Sequence, residues 1–222
     1  MPDLLPRRFS DWFAARGWTP HRHQRDMLAT ARAGRSALTA PTGGGKTLAG
    51  FLPSLVELFE RPSEGLHTLY LSPLKALVVD IHRNLERPVA ELGLPICAET
   101  RAGDTPALKR QRQRDHAPQM LMTTPESLAL LFSYPDAAAM FAGLGVVVID
   151  ELHALIGTKR GDLLALGLAR VRRLAPKARH VGLSAAAASP DELRAYPGRD
   201  IHLIARGGRI TRLPRDEKVL RR

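Results

Sequence analysis

The chain has 222 residues, 33 Lys and Arg against 22 Asp and Glu for a net charge of +11, and 44% hydrophobic residues. That length fits one large domain or two small ones, and that apolar content excludes wholesale disorder, a collagen-like repeat and a disulfide-stapled miniprotein. Cys97 stands alone, no apolar run approaches the roughly 18 residues of a membrane span, and residues 1–10 lack a signal-peptide apolar block. No membrane partner and a cytoplasmic setting are therefore expected, while the excess of base suits a polyanionic partner such as nucleic acid or simply an arginine-rich surface.

Two helices are expected first, around residues 9–16 and 21–33, joined by Gly17-Trp18-Thr19-Pro20. Short β-branched or leucine runs then alternate with longer amphipathic stretches. This is the pattern of a parallel sheet covered by helices, so the fold class expected is α/β. Strands are predicted at 36–39, 68–72, 96–100, 120–123, 146–150, 180–184 and 201–204, and helices at 47–60, 74–92 and 162–174, the last stopped by Pro176. With no internal repeat and no Gly/Ser-rich linker, a single domain over 1–206 is expected, including the leading helices at 7–33. Residues 207–222 read as a basic tail or linker stub.

The strongest chemical signal is Ala40-Pro41-Thr42-Gly43-Gly44-Gly45-Lys46-Thr47, between a predicted strand and a predicted helix. It reads as a phosphate-binding loop. Glycines let backbone N–H groups turn inward around phosphates, the helix N-terminus adds its positive dipole end, and Lys46 supplies a point charge. The Thr47 hydroxyl would face Mg²⁺. The strict spelling of such loops has Gly where Ala40 stands, so the strict pattern is not met here.

The second signal is Val146-Val147-Val148-Ile149-Asp150-Glu151-Leu152-His153, an apolar strand that ends in adjacent carboxylates. By itself this reads as an acidic helix cap. In a chain that also carries a phosphate loop it places Asp150 to hold the Mg²⁺ shell and Glu151 to take a proton from the attacking water.

With these two motifs the chain resembles the superfamily 2 helicases with a DExH box, and most closely the large helicase-related (Lhr) group that includes ligase-associated DNA helicases. Ser72-Pro73-Leu74-Lys75-Ala76-Leu77 is similar to motif Ia, Thr100-Arg101-Ala102-Gly103-Asp104-Thr105 to motif Ib, and Thr123-Thr124-Pro125-Glu126-Ser127-Leu128 to motif Ic. Residues 9–24, with Trp18, Pro20 and Gln24, resemble the Q-motif region, whose glutamine reads adenine.

The resemblance implies a RecA-like P-loop NTPase domain that binds ATP and Mg²⁺ through Gln24, Thr42, Gly43, Gly44, Gly45, Lys46 and Thr47, with Lys46, Asp150 and Glu151 catalytic. It implies sequence-independent contacts to a nucleic-acid backbone from Pro73, Lys75, Arg101, Gly103, Thr124 and Pro125, with single-stranded DNA preferred over RNA. Read alone, the Thr124-Pro125 pair is an ordinary capped helix start. Coupling between the two sites is implied for His153, Ser184 and Ala186, the last in a motif III that normally reads Ser-Ala-Thr and here lacks the threonine hydroxyl. The family closes a second RecA-like domain, in cis or in trans, around ATP. None follows the DExH half in this sequence, so slow turnover by this chain alone is expected.

The implied function is the ATP-binding half of a DNA helicase in DNA repair. A nucleotide-gated nucleic-acid binding module and half of an RNA helicase are the other two readings. The histidines His21, His23, His153 and His180 lack zinc-site spacing, residues 109–114 read as a charged helix face, and Cys97 reads as a core residue of the 96–100 strand.

Overall fold

The computed structural model describes residues 4–34, 36–39, 45–184, 201–204 and 210–212. Two helices lead, α1 (Arg7–Ala14) and α2 (Arg22–Arg32), followed by β1 (Ser36–Thr39), α3 (Lys46–Glu60), β2 (Thr68–Leu71) and α4 (Lys75–Glu91). Next come β3 (Ala98–Arg101), α5 (Ala107–Asp115), β4 (Met120–Thr123), α6 (Pro125–Leu131), α7 (Ala137–Phe141) and β5 (Val146–Ile149). A single 3-10 turn (Leu152–Ala154) leads to α8 (Lys159–Leu174), β6 (Arg179–Leu183), β7 (Ile201–Ile204) and β8 (Ile210–Arg212).

The described strands form one sheet in the order β3-β4-β2-β5-β6-β1-β7-β8. All pair in parallel except β8, which runs antiparallel to β7. Because the central strands are covered on both faces, their sequences are continuous apolar runs: β2, β4 and β5 are buried at every position. Alternation along each strand sorts these side chains into two cores. Tyr70 and Val148 pack with Phe9, Met27, Phe51 and Val78 on the face covered by α1 to α4. Leu69, Leu71, Val147 and Ile149 pack with Leu128, Phe141, Leu164 and Leu168 on the face covered by α6, α7 and α8.

The α/β expectation holds, with two local departures. The third strand starts at Ala98 rather than Ile96, and Cys97 is exposed, not in the core. The reason is position: β3 is an edge strand hydrogen-bonded to β4 alone, and Cys97 N donates instead to Gln119 Oε1 at 2.9 Å. The second departure lies in the expected tail, where residues 210–212 form β8 and cover the β7 edge. Among the described residues no helix is long and apolar enough to cross a membrane.

Candidate functional site

Parallel strands bring their C-terminal ends to one edge of the sheet, and the loops that carry the sequence motifs leave from that edge. On one side β1 pairs with β6 and β6 with β5, with Thr39 opposite Leu183 and Gly182 opposite Ile149. This brings the start of α3, the Asp150 tip of β5 and Ser184 together. On the other side β2 pairs with β4 and β4 with β3, with Leu71 opposite Thr123 and Thr123 opposite Arg101. The β2·β5 pairing joins the two groups.

Gly45 is the N-cap of α3 and has φ 98°. That backbone conformation favours glycine, and the space does too, since a Cβ there would lie 2.8 Å from Gln24 Nε2. Gln24 is buried in the first turn of α2 and spans two elements: its Oε1 accepts from His21 N at 2.9 Å and its Nε2 donates to the Gly45 carbonyl at 3.3 Å. Gln24, Gly45 and the half-buried Thr47 line a cavity of about 960 Å³ together with Trp18, Arg83 and Glu91. Thr42, Gly43, Gly44, Ala186 and the Lys46 side chain lie outside the described residues.

Asp150 is 4% exposed and doubly held: Tyr70 Oη donates to its Oδ2 at 2.8 Å and Glu151 N to its Oδ1 at 2.8 Å. Burial, and after it the Asp150 carboxylate, push the Tyr70 phenol well above its ordinary range, so the hydroxyl stays a donor. Glu151 has φ 46°, the sole positive value among the described non-glycine residues, and the chain turns there directly into the 3-10 helix. Such strain at the tip of a buried strand is typical of functional turns. His153 Nδ1 lies 3.4 Å from Glu151 Oε2 and 3.4 Å from Ser184 Oγ, a chain of polar contacts from the DExH box to the end of β6.

The residues expected to meet nucleic acid divide sharply. Lys75, the first residue of α4, and Gly103 are exposed, and Lys75 forms an ion pair with Asp104 across the two motif loops. Pro73, Arg101, Thr124 and Pro125 are buried, so their side chains pack into the fold and only the backbone of these loops is left to face a ligand. Thr124 is the N-cap of α6, its hydroxyl accepting from Ser127 N at 3.4 Å, and Pro125 fills the first helical turn, so the ordinary helix start is what this pair builds. Arg101 is 1% exposed and braces α5 from below, donating to the Arg110 carbonyl at 2.9 Å. Burial lowers its guanidinium pKa.

Two contacts escaped the sequence reading. Tyr70 gave a signal of its own, since a phenol hydroxyl in a fully buried strand needs a hydrogen-bond partner. The pairing of Glu126 in motif Ic with Arg160 at the start of α8, at 2.5 and 3.0 Å, had none, because it depends on how α6 and α8 pack. Of the histidines, His21 and His23 stack on each other with ring centroids 5.3 Å apart. Among the described residues no group of three or more His, Cys, Asp or Glu side chains is gathered for a metal ion.

The DEAD/DEAH box helicase family model matches residues 21–193. A curated relative, the Lhr helicase/probable uracil glycosylase of Mycolicibacterium smegmatis, is 39% identical over 201 residues, which is 84% of this chain and 13% of that protein. The ATP-dependent helicase Lhr-Core of Methanocaldococcus jannaschii is 34% identical over 91% of this chain and 26% of its own length. Among solved structures, Mycobacterium smegmatis helicase Lhr bound to ssDNA and AMP-PNP superposes with a TM-score of 0.82 at 35% identity, covering 90% of this chain and 28% of that one. The chain thus spans from about an eighth to a little over a quarter of the length of these relatives.

Proposed function

We propose that this chain, which belongs to the DEAD/DEAH box helicase family, is the N-terminal ATP-binding half of an ATP-dependent DNA helicase that binds single-stranded nucleic acid, hydrolyses Mg-ATP and serves DNA repair. The observation that carries this reading is the sheet edge at which the Gly45–Thr47 helix start, the bridging Gln24 and the buried, doubly held Asp150 converge. The likeness to an Lhr helicase bound to ssDNA and AMP-PNP supports the choice of ligands.

The donor set suits Mg²⁺. The Thr47 hydroxyl and the Asp150 carboxylate are hard oxygens of the kind that Mg²⁺ takes, and the hydrogen bonds from Tyr70 and Glu151 N hold that carboxylate in place. When bound, the ion would neutralise charge on the phosphates. Lys46, at the opening of α3, adds a cation where the helix N-terminus already favours anions. Glu151 is the base that takes a proton from the attacking water, and Gln24 reads the adenine edge.

On the other half of the edge Lys75 and the backbone around Gly103 receive the sugar-phosphate chain. Arg101, Thr124 and Pro125 hold those loops in place without touching it. His153 and Ser184 carry the coupling between the halves. A second RecA-like domain, in cis or in trans, completes the nucleotide site and raises turnover.

The test is Mg²⁺-dependent ATP hydrolysis by the purified chain, with and without single-stranded DNA or RNA, beside Lys46→Ala. ATP binding that the substitution abolishes, with turnover raised more by DNA than by RNA, is the expected result. Stimulation by RNA alone would reassign the chain to RNA, and ATP binding unaffected by Lys46→Ala would overturn the site.

A further inference from the structure

The cavity beside Gln24 has an aromatic wall that the phosphate chemistry does not use. Trp18 is 52% exposed and lines this cavity, in a turn fixed by its N–H donating to the Phe13 carbonyl at 3.0 Å. An indole left half in water at the wall of such a cavity is a platform for a planar ring. The two side chains packed beside it, Trp12 and Arg16, are both held by one carboxylate on another element.

Glu91, the last residue of α4, collects three donors. Trp12 Nε1 donates to its Oε2 at 3.0 Å, Arg16 forms an ion pair with the same oxygen, and Arg87 Nε donates to its Oε1 at 3.0 Å. The Arg16 guanidinium then lies 4.4 Å from the Trp12 ring centroid and 5.7 Å from that of Trp18, and the two indoles meet edge to face at 5.9 Å. A carboxylate at a helix C-terminus faces the negative end of the helix dipole, so this is an unfavourable place for Glu91 unless its partners compensate. The arginine contacts, chiefly, hold its pKa down to about 2, and it stays charged through the physiological range.

We propose that Glu91 is a positioning residue for the base end of the nucleotide site: it fixes Arg16 and Trp12, and through them Trp18, so that the base-dependent part of nucleotide affinity depends on a side chain that touches neither base nor phosphate. The inference rests on the reading of the cavity as the adenine-nucleotide site. It also gives α4 a second task, because the helix that opens at Lys75 on the nucleic-acid side closes at Glu91 on the base side.

The experiment compares Mg-ATP with inorganic tripolyphosphate by titration calorimetry on the parent chain, Glu91→Gln, Trp18→Ala and the double variant. Glu91→Gln is expected to weaken ATP about tenfold, the scale of one aromatic–base contact, and to leave tripolyphosphate unchanged. Trp18→Ala should lose a similar factor, and the double variant no more than Trp18→Ala alone. Equal weakening of ATP and tripolyphosphate by Glu91→Gln, or no weakening of ATP, overturns the proposal. Should Glu91→Gln fail to fold, Arg16→Met, which keeps the apolar stem and removes the charge, must show the same split. A parent chain that binds tripolyphosphate but gains nothing from the base refutes the positioning role alone, whereas one that binds neither ligand refutes the nucleotide reading itself.

Discussion

Tyr70 in β2 and Asp150 at the tip of β5 share a buried 2.8 Å hydrogen bond across the one strand pairing that joins the nucleotide half of the sheet edge to the nucleic-acid half. Tyr70 is itself locked from the helix side, its ring stacked on Phe51 of α3 with centroids 4.5 Å apart. The Asp150 carboxylate is thus aimed by a residue anchored to the helix that follows the phosphate loop. Tyr70→Phe keeps the stacking and deletes the donor. It is expected to cost about 1.5–3 kcal/mol in urea unfolding, the range for a hydrogen bond to a charged group, and to lower ATP turnover more than ATP affinity. Unchanged turnover with an unchanged unfolding midpoint would show that Asp150 is aimed by something else.

Gly45 is held to glycine by two independent constraints, its φ of 98° and the 2.8 Å approach of Gln24 Nε2 to a Cβ at that position. Gly45→Ala should cost at least the roughly 1–2 kcal/mol of a left-handed alanine. It should also dislodge the Gln24 amide from the Gly45 carbonyl. The expected outcome is a chain that still unfolds cooperatively but binds ATP at least tenfold more weakly, with most of its preference over GTP gone. Retained discrimination would separate Gln24 from base reading.

The strands were legible in the sequence wherever the sheet is buried on both faces, because Val146-Val147-Val148-Ile149 and Met120-Leu121-Met122 have no other stable environment. The edge strand starts later than expected because Ile96 and Cys97 are no more or less apolar than a strand requires, and Cys97 marks its fraying end: its carbonyl accepts from Met120 N of β4 while its N–H turns to the Gln119 side chain. Residues 210–212 look like tail for the same reason: three residues, two of them polar, become a strand only because β7 offers them an edge. At the site, adjacency in sequence gave Asp150, Glu151 and Gly45. It could not tell that Arg101 and Thr124 point inward, since whether a polar side chain in a loop faces solvent or caps a helix is settled by packing.

Lys75 and Asp104 form an exposed ion pair between the motif Ia and motif Ib loops, and the lysine draws the aspartate pKa below its usual range. A phosphate that takes Lys75 must displace this carboxylate. Asp104→Asn is therefore expected to tighten single-stranded DNA binding by about threefold to tenfold at low salt and to steepen the dependence of log K on log salt by up to about 0.7, one phosphate contact on a single strand. Lys75→Ala should weaken binding and flatten the slope by the same amount. Fluorescence anisotropy over a series of salt concentrations reads both. An Asp104→Asn chain that binds more weakly would mean that the pair holds the loops and does not compete with the ligand.

At the opposite end of the sheet, His67 lies 3.5 Å from Glu57, which Arg179 grips at 2.6 and 2.5 Å. Burial, and after it the Arg179 charge, lower the His67 pKa from 6.5 to about 4. The unfolded chain therefore binds a proton at His67 before the folded one does. Stability from this residue is complete above pH 6.5, falls as pH drops through the window between 6.5 and about 4, and reaches a loss on the order of 3 kcal/mol at its lower end. Glu57 acts in the opposite sense, since burial raises its pKa and the folded state takes up its proton first as pH falls. The difference between parent and variant isolates the histidine: His67→Gln retains a polar contact to the Thr68 hydroxyl, which His67 Nδ1 meets at 2.8 Å, but cannot titrate. Urea unfolding from pH 7 to pH 4 should find the variant gaining on the parent by about 3 kcal/mol across that range. Parallel curves would show that His67 is protonated as easily in the fold as out of it, which its burial against the Arg179 charge does not allow.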